Sequence, residues 1–333
     1  MPKNNNLEPV KFPMEQKWNK IPETEFINNL DAIKVELIDA PSIEQLMNYI
    51  TPFVNATWDE PDKKYTIKEK AEAVYNALHF KTLPTALETI GLTFRISGIS
   101  MQEVTHIIRY RKASFSAECS GDKWWTDKKA LIPNSVENSN GDGFRAGGQT
   151  PRENNFHARY IELVEECKKL YQDMIDSKQI SIMDARYILP RCMETFYYMR
   201  MNLADAVHFI RQRIDKQIQP ETDNVIAYQM YIEILKKIPF AFGLVNIHAP
   251  STFYISTART GRATNLYFPD EDSDKFDWNE KDFIYQHYRY EMNGTDEGAT
   301  NKFLIELEKY EKQITELEKE GSELYADYLR RNG

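Results

Sequence analysis

Four arginines lie within or beside apolar, regularly patterned stretches of this chain. Arg109 and Arg111 follow the apolar run that ends at Ile108, and Arg186 and Arg213 lie in a second block further along the chain. An arginine on a core element costs free energy unless an anion accepts hydrogen bonds from its guanidinium group. Together, the four arginines predict a site for phosphate groups.

The charge balance of the chain limits what such a site binds. The 333 residues carry a net charge of −9, and the pI is near 5.4. An acidic protein repels nucleic-acid backbones, so a basic site must be local and suited to a small phosphorylated ligand. We therefore expect no nucleic-acid partner.

Cysteine usage and hydropathy bear on metal sites and on location. Cys119, Cys167 and Cys192 are too few and too scattered for a disulfide framework or a zinc cage, so no metal is expected. The polar start of the sequence, and the lack of any apolar run approaching ~18 residues, predict no membrane association. We expect a soluble, cytoplasmic protein.

The periodicity of apolar residues predicts the elements that position the arginines. The predicted strands are 35–38, 92–96 and 192–201, and the predicted helices are 42–53, 67–78, 100–108, 156–175 and 202–213. This order predicts an α/β (α+β) fold in which helices surround a mixed sheet. In the predicted helix 202–213, Arg213 shares a face with Ala206 and Ile210, so it is expected to point inward or toward a cleft.

Composition divides the chain into three parts. Residues 1–30 form a polar arm, residues 31–243 a main domain, and residues 244–333 an extension that ends in a long helix. Apolar residues in that helix hold a 3-4 spacing, but Gly321 at a core position favours a helix docked on the domain over a coiled coil. The segment 126–155, rich in Gly, Pro and Asn, is expected to be a functional or disordered loop.

The spacing around the first arginine pair is specific. Arg109-Tyr110-Arg111 is followed by seven residues and then by Cys119-Ser120. This arrangement resembles the flavin-dependent thymidylate synthase (ThyX) family, whose signature is Arg-His-Arg, seven residues and Ser. The resemblance covers residues 33 to 240, where further motifs follow the family's order: Leu87-Glu88, Thr93-Phe94, Ser97 to Ser100, Ala185-Arg186, Leu189-Pro190, Met201-Asn202, His208-Phe209, Arg213 and Gln219-Pro220-Glu221.

The resemblance implies a fold, a reaction and an assembly. It implies a ThyX-like catalytic domain over residues 31–243 that binds FAD, is reduced by NADPH and takes a one-carbon unit from methylenetetrahydrofolate. The implied reaction is C5 methylation of a pyrimidine deoxynucleotide monophosphate, dUMP to dTMP. The implied assembly is a homotetramer whose active sites are shared among subunits. In such a site the cofactor performs the redox chemistry, while the protein orients and polarises.

The resemblance also assigns residues to the two ligands. The flavin side comprises Thr85, Glu88, Arg109, Tyr110, Arg111, Lys112, Asn202 and His208. The nucleotide side comprises His106, Glu118, Cys119, Ser120, Lys123, Arg186 and Arg213. Arg186 would anchor the phosphate bidentately. His106 and Arg213 would be the catalytic pair beside the base, where Arg213 stabilises charge that builds on a pyrimidine oxygen.

Several positions depart from the family pattern, most of them on the nucleotide side. Tyr110 replaces the signature histidine, His106 a glutamine and Cys119 the signature serine. The Arg-Tyr pair that follows this serine is missing, unless Lys123-Trp124 replaces it. The substrate is therefore less well defined than the cofactor.

Two alternatives to thymidylate synthesis stay open. One is a related flavoenzyme that modifies dCMP or UMP, or that makes a hydroxymethyl product, and His106 favours it. The other is a non-catalytic nucleotide- or flavin-binding homologue. The retained arginines argue against the second alternative, because a dead site has no need of phosphate clamps.

Overall fold

A four-stranded antiparallel sheet lies at the centre of the protein. The computed structural model describes residues 23–56, 59–60, 62–83, 85–121, 125, 127–137, 156–214, 219–247 and 299–331. The strands in these ranges are β1 (Phe26–Asn28), β2 (Lys34–Asp39), β3 (Gly91–Ser100), β4 (Ser114–Ala117), β5 (Ala130–Ile132) and β6 (Glu194–Asn202). The central sheet has the order β2-β3-β6-β4, and β1 pairs with β5 in a separate parallel ribbon.

Helices cover this sheet and carry many of the residues predicted to bind ligands. They are α1 (Asn29–Ala32), α2 (Ile43–Asn55), α3 (Ile67–Leu78), α4 (Thr85–Glu88), α5 (Met101–Ile107), α6 (Asn134–Glu137), α7 (Phe156–Asp176), α8 (Ile182–Ala185), α9 (Leu203–Arg213), α10 (Glu221–Lys237) and α11 (Ala299–Arg331), with short 3₁₀ turns at Arg186–Ile188 and Pro239–Ala241. Helices α2, α3 and α5 each begin with a capping box, in which Ser42, Thr66 or Ser100 exchanges hydrogen bonds with the residue three positions later.

Strand β3 shows why the sheet forms at this place in the sequence. Its alternating pattern buries Leu92, Phe94 and Ile96. A bulge in the pairing with β6 falls at Gly98, which has a φ of +69°. A Cβ at this position would lie 1.8 Å from the carbonyl oxygen of Ala32, so only glycine fits.

Helix α10 is the central helix of the main core. It packs against β2, α9 and α11, and most of its residues are buried. A second, smaller apolar cluster surrounds Trp125, Val164 and Tyr171, beside helices α7 and α8. The main core therefore supports the second block of motifs directly, and the smaller cluster supports the segment that follows the signature.

The long terminal helix α11 is docked on the main core. It contributes the buried side chains of Phe303, Leu307 and Ile314. Gly321 lies where α11 crosses the 3₁₀ turn at Pro239, and a Cβ there would be 2.2 Å from the Pro239 carbonyl oxygen. The glycine thus allows close approach of the two backbones.

The predicted α/β fold class is confirmed. Parallel pairing is confined to the β1–β5 ribbon, so the central sheet itself is wholly antiparallel. The third predicted strand starts later than expected, at Glu194, because a turn after Pro190 precedes it. Arg213 is buried, as its place on α9 predicted.

Parts of the sequence predictions lie outside the described residues. They are residues 1–22 of the polar arm, Lys123-Trp124, residues 138–155 of the Gly-rich segment and residues 248–298 of the extension. Within the described part of the chain, no helix is both long and apolar enough to cross a bilayer.

Replacing Gly321 with alanine tests the docking of α11. Helix propensity alone favours alanine over glycine by about 1 kcal/mol in a helix interior. The clash with the Pro239 carbonyl oxygen reverses this sign, so we expect Gly321→Ala to lower the free energy of unfolding by about 1–3 kcal/mol. Urea unfolding followed by circular dichroism measures the change.

Ser322→Ala is the matched control, because Ser322 is exposed on the same helix. Its effect on the free energy of unfolding should stay within about 0.5 kcal/mol. A Gly321→Ala protein that is as stable as wild type, or more stable, would show that α11 does not contact the 3₁₀ turn in this way.

Candidate functional site

The turn after helix α5 carries the signature arginines, and Tyr110 holds it in place. Tyr110 is buried, and its hydroxyl donates to the backbone carbonyl of Asp205 at 2.8 Å. The same oxygen lies 3.1 Å from Nδ1 of His208, and the tyrosine ring packs edge-on against Phe209. Tyr110 therefore ties the signature turn to helix α9.

These contacts assign the protons of His208. Because the single Tyr110 hydroxyl proton goes to the Asp205 carbonyl, Nδ1 of His208 donates to the tyrosine oxygen, and Nε2 faces the Gln212 amide at 3.5 Å. Burial lowers the pKa of His208, and the charge of Lys112 lowers it further. Burial also raises the pKa of Tyr110 well above its usual value. Both side chains are thus neutral at pH 7.

Arg109 and Arg111, on either side of Tyr110 in the sequence, lie at the surface. Both side chains are exposed, and neither forms an ion pair with any residue in the described ranges. Lys112 differs from them, because its Nζ lies 3.2 Å from Oδ1 of Asp205. A buried tyrosine between two outward guanidinium groups presents two sets of donors to an anion in solution.

The remaining flavin-side positions also gather around helix α9. Asn202 caps the helix: its Oδ1 accepts from the Asp205 N–H at 2.8 Å, and its Nδ2 donates to the Asp205 carboxylate at 2.9 Å. Thr85 and Glu88 are exposed on helix α4, which packs against α9. Thr85 also borders a groove of about 640 Å³ between α2 and α3.

Arg213, at the end of α9, is held by acceptors from the start of α10. Its Nη1 donates to Oδ2 of Asp223 at 2.6 Å and to Oε1 of Gln219 at 2.9 Å. The Asn224 amide in turn donates to the backbone carbonyl of Arg213 at 2.6 Å. The side chains of Arg213 and Asp223 are only 10% and 1% exposed, so this ion pair is almost fully removed from water.

His106 lies at the rim of this ion pair. Its Nδ1 is 3.1 Å from Oδ2 of Asp223, and its side chain is 36% exposed. Nη1 of Arg213 lies 3.3 Å and 3.4 Å from the two ring nitrogens, so it faces the carbon between them and favours neither nitrogen. The imidazole therefore lies beside both members of the ion pair, with Nδ1 toward the Asp223 carboxylate.

The two sides of the candidate site meet at Phe209. Its ring contacts Tyr110 on the flavin side, and the Arg213 guanidinium lies 5.4 Å from the ring centre. Tyr197 of β6 lies fully buried nearby. Burial and the Asp223 carboxylate raise its pKa, and Arg213 opposes them. Helix α9 thus contacts residues predicted for the flavin and also carries a residue predicted for the nucleotide.

Glu118, which the resemblance places on the nucleotide side, has its carboxylate inside the protein. The side chain is 1% exposed, and Oε2 lies 2.8 Å from Nζ of Lys128 and 3.3 Å from Oγ1 of Thr195. Its backbone N–H donates to the Phe196 carbonyl and continues the pairing of β4 with β6. The carboxylate is therefore committed to protein contacts.

The next residues of the signature segment lead to Gly121, which lies near Arg186. Cys119 is exposed and its sulfur accepts from the Gly121 N–H at 3.3 Å, whereas Ser120 is buried. Nε of Arg186 donates to the Met183 carbonyl at 3.1 Å. A Cβ at position 121 would clash with Sδ of Met183 and lie 3.0 Å from Nη1 of Arg186, so the glycine leaves room for both side chains. Of the nucleotide-side positions, Lys123 lies outside the described ranges.

Sequence reasoning did not single out Asp223 and Lys128, whose side chains form ion pairs with the predicted site residues Arg213 and Glu118. For Asp223 a weak signal existed, because an acid in the first turn of a helix is favoured by the helix dipole. This signal does not separate a surface acid from a buried ion-pair partner. For Lys128 no signal existed, because its contact with Glu118 depends on how the intervening loop folds.

Comparisons with known proteins agree with this geometry. Residues 36–240 match the family of thymidylate synthase complementing proteins. The flavin-dependent thymidylate synthase of Clostridium tetani is 25% identical over 190 residues, which cover 53% of this chain and 70% of that protein. The enzyme of the same name from Sulfurisphaera tokodaii is 28% identical over 190 residues, 56% of this chain and 66% of that protein.

A solved structure extends the comparison to the fold. The UMP/dUMP methylase PolB from Streptomyces cacaoi, bound with 5-Br dUMP, superposes with a TM-score of 0.53 at 19% identity. The match covers 68% of this chain and 100% of that protein. At this identity the likeness concerns the fold. Over all the curated relatives, the aligned segment spans between 53% and 70% of the relative's length.

Neutralising Asp223 tests the buried ion pair. In Asp223→Asn the Arg213 guanidinium keeps its charge but loses its counter-ion in a nearly water-free environment. We expect the free energy of unfolding to fall by about 2–4 kcal/mol. Thermal unfolding followed by calorimetry measures the loss.

The control is the same substitution at an exposed pair. Asp39 lies 2.8 Å from Arg200, with side chains 61% and 57% exposed, so Asp39→Asn should cost less than about 1 kcal/mol. Equal effects of the two substitutions would show that Asp223 is as well solvated as Asp39.

Proposed function

This chain belongs to the thymidylate synthase complementing protein family and is an enzyme of the methyltransferase type, and from this premise we propose its specific reaction. The proposed reaction is C5 methylation of dUMP to dTMP with FAD as cofactor, NADPH as reductant and methylenetetrahydrofolate as one-carbon donor. We further propose a homotetramer with shared active sites.

The observation that carries the proposal is the anchoring of both motif blocks on helix α9. Tyr110 links the signature turn to the first half of the helix, and His106 reaches Asp223 beside Arg213 at its end. Phe209 lies between the two. A cofactor at the first position and a pyrimidine at the second would therefore be neighbours, as one-carbon transfer between them requires.

The residues of the signature turn fit an anionic dinucleotide. Arg109 and Arg111 are exposed and free of ion pairs within the described part of the chain, so they can meet a diphosphate. Tyr110, Asn202 and His208 use their polar atoms on α9, and their role is to shape this surface. When bound, the flavin supplies the redox chemistry and the folate supplies the carbon unit.

Arg213 is placed to polarise the pyrimidine. Asp223 and Gln219 fix its Nη1, and its buried Nε has no hydrogen-bond partner among the described residues. A preorganised guanidinium is suited to stabilise charge that develops on a ring oxygen when C5 becomes nucleophilic. Because Asp223 holds the group in place, little reorganisation is needed during the reaction.

His106 is placed to read the base edge. In the tautomer that carries its proton on Nδ1, which lies 3.1 Å from Oδ2 of Asp223, Nε2 would be an acceptor, and N3–H of uracil would be the matching donor. N3 of cytosine is itself an acceptor and has no donor to meet at this atom. This tautomer would favour uracil over cytosine as the base.

A second candidate differs in the sugar or the product. The replacements at His106 and Cys119 favour a related enzyme that acts on UMP or forms a hydroxymethyl group. The other tautomer of His106, with its proton on Nε2, would favour dCMP. The protein of this fold from Streptomyces cacaoi is named for both UMP and dUMP, so the sugar needs a direct test.

Arg109→Ala tests the flavin site. Loss of one guanidinium leaves part of the diphosphate without a charged partner, so we expect the dissociation constant for FAD to rise about 30-fold or more. Fluorescence titration of the flavin-free protein measures it. Arg95→Ala is the control, because Arg95 is an exposed arginine paired with Glu36 outside the site. Full flavin occupancy in purified Arg109→Ala protein would show that Arg109 does not belong to the flavin site.

Titration of the reduced, flavin-loaded enzyme with dUMP, UMP and dCMP tests the substrate. We expect dUMP to perturb the flavin absorbance most and dCMP least, because a His106 ring with its proton on Nδ1, toward Asp223, would offer no donor to N3 of cytosine. Anaerobic turnover with NADPH and methylenetetrahydrofolate, followed by mass analysis, then distinguishes a methyl from a hydroxymethyl product. A response to dCMP without one to dUMP would rule out thymidylate synthesis.

A further inference from the structure

Helix α7 carries apolar side chains on two faces, and the protein's own core buries only one of them. Val164 and Tyr171 are 4% and 0% exposed and belong to the smaller apolar cluster. Leu163 and Leu170 each precede one of these residues, yet they are 44% and 43% exposed. Single exposed apolar residues are common on protein surfaces, whereas a row of them along a helix indicates a contact surface.

The second face has the spacing of a helix that packs against another helix. Its members recur at alternating intervals of four and three residues, and they are Tyr160, Leu163, Cys167, Leu170 and Met174. This repeat keeps an apolar seam turned toward a partner helix over several turns. Tyr160, Cys167 and Met174 are partly buried, so the seam begins at the edge of the protein's own core and continues to the surface.

An apolar groove lies beside this seam. Its volume is about 420 Å³, and its lining includes Tyr160, Leu163 and Cys167 of α7 together with Leu131, Pro133 and Pro190. Leu170, seven residues beyond Leu163, is an exposed apolar side chain that such a groove could receive. The same helix therefore presents an apolar recess and an apolar projection, and a two-fold contact between identical surfaces requires this combination.

Charges beside the seam distinguish the possible directions of a second helix. Arg159, Glu166 and Asp173 follow one flank at intervals of seven residues, and all three are exposed. A two-fold axis perpendicular to α7 makes the two helices antiparallel and brings the same flank of both together. If Leu163 then lies opposite Leu170 of the second copy, Arg159 lies within one residue of facing Asp173. Glu166, near the axis, would meet its own copy and weaken the pair.

We propose that this outer face of α7 is a self-association surface, on which a second copy of the chain packs antiparallel with its Leu170 in the groove beside Leu163. Arg159 also contacts Glu162 of its own helix at 2.6 Å, but both side chains are more than half exposed, and such a pair contributes little in water. The inference goes beyond the proposed reaction, because it concerns assembly and holds for any substrate. Within the proposed homotetramer, it names one interface.

Sedimentation velocity of the full chain tests the surface. We expect wild type to sediment as a dimer or a larger assembly, and Leu170→Asp to sediment as a smaller species with an unchanged circular dichroism spectrum. Ile305→Asp is the matched control, because Ile305 is 49% exposed inside helix α11, and it should leave the sedimentation coefficient unchanged. A monomeric wild type, or a Leu170→Asp protein of wild-type size, would overturn the inference. The latter result is expected if another part of the same chain covers the seam.

Charge reversal tests the antiparallel arrangement in variants that keep the apolar seam. Arg159→Glu and Asp173→Arg should each raise the dissociation constant of the assembly about fivefold or more, because each places like charges opposite one another at two symmetric points. Combining both reversals should restore wild-type association, and Glu166→Gln should strengthen it. No recovery in the double variant would rule out the proposed pairing. Flavin binding and turnover, measured on the same preparations, test the proposed reaction separately.

Discussion

The ion pair between Arg213 and Asp223 is the interaction on which the arrangement of the candidate site depends. It joins the end of α9 to the start of α10, and through His106 it also reaches α5. A nearly buried pair is stable only when both partners keep their geometry, because either charge alone would be strongly disfavoured in this environment. The same requirement that holds three helices together also holds a guanidinium and an imidazole at fixed positions beside each other.

The signature turn is held by an uncharged residue and not by an ion pair. The family histidine is replaced by Tyr110, which carries no charge and is buried as an anchor, with its hydroxyl donated to the Asp205 carbonyl. Positive charge is left to Arg109 and Arg111, which lie outside the anchor and face solvent. The substitution separates two tasks, because the tyrosine fixes the backbone while the arginines remain free to meet an anion.

Local signals predicted the framework well. The strand at β3, the helix at α9 and the inward face of Arg213 depend on neighbouring residues only, and the structure shows all three. Partners across the fold were not predictable, because Asp223 and Lys128 look like ordinary surface charges in the sequence. The carboxylate of Glu118 was expected to face a ligand, but its burial depends on a loop whose path no periodicity encodes.

The docking of α11 has a consequence for how the protein is made. Tyr228 and Tyr231, in the central helix, donate to Glu311 and Glu318 of α11 at 3.1 Å and 2.6 Å. Until the ribosome has released residues 299–331, Glu311 and Glu318 cannot accept from these two phenol groups, and the apolar surface later covered by Phe303 and Leu307 stays open to water. Contacts between distant parts of a chain form slowly, and exposed apolar surface promotes aggregation. The nascent protein therefore passes through a stage in which all of its signature residues exist but its core is unfinished.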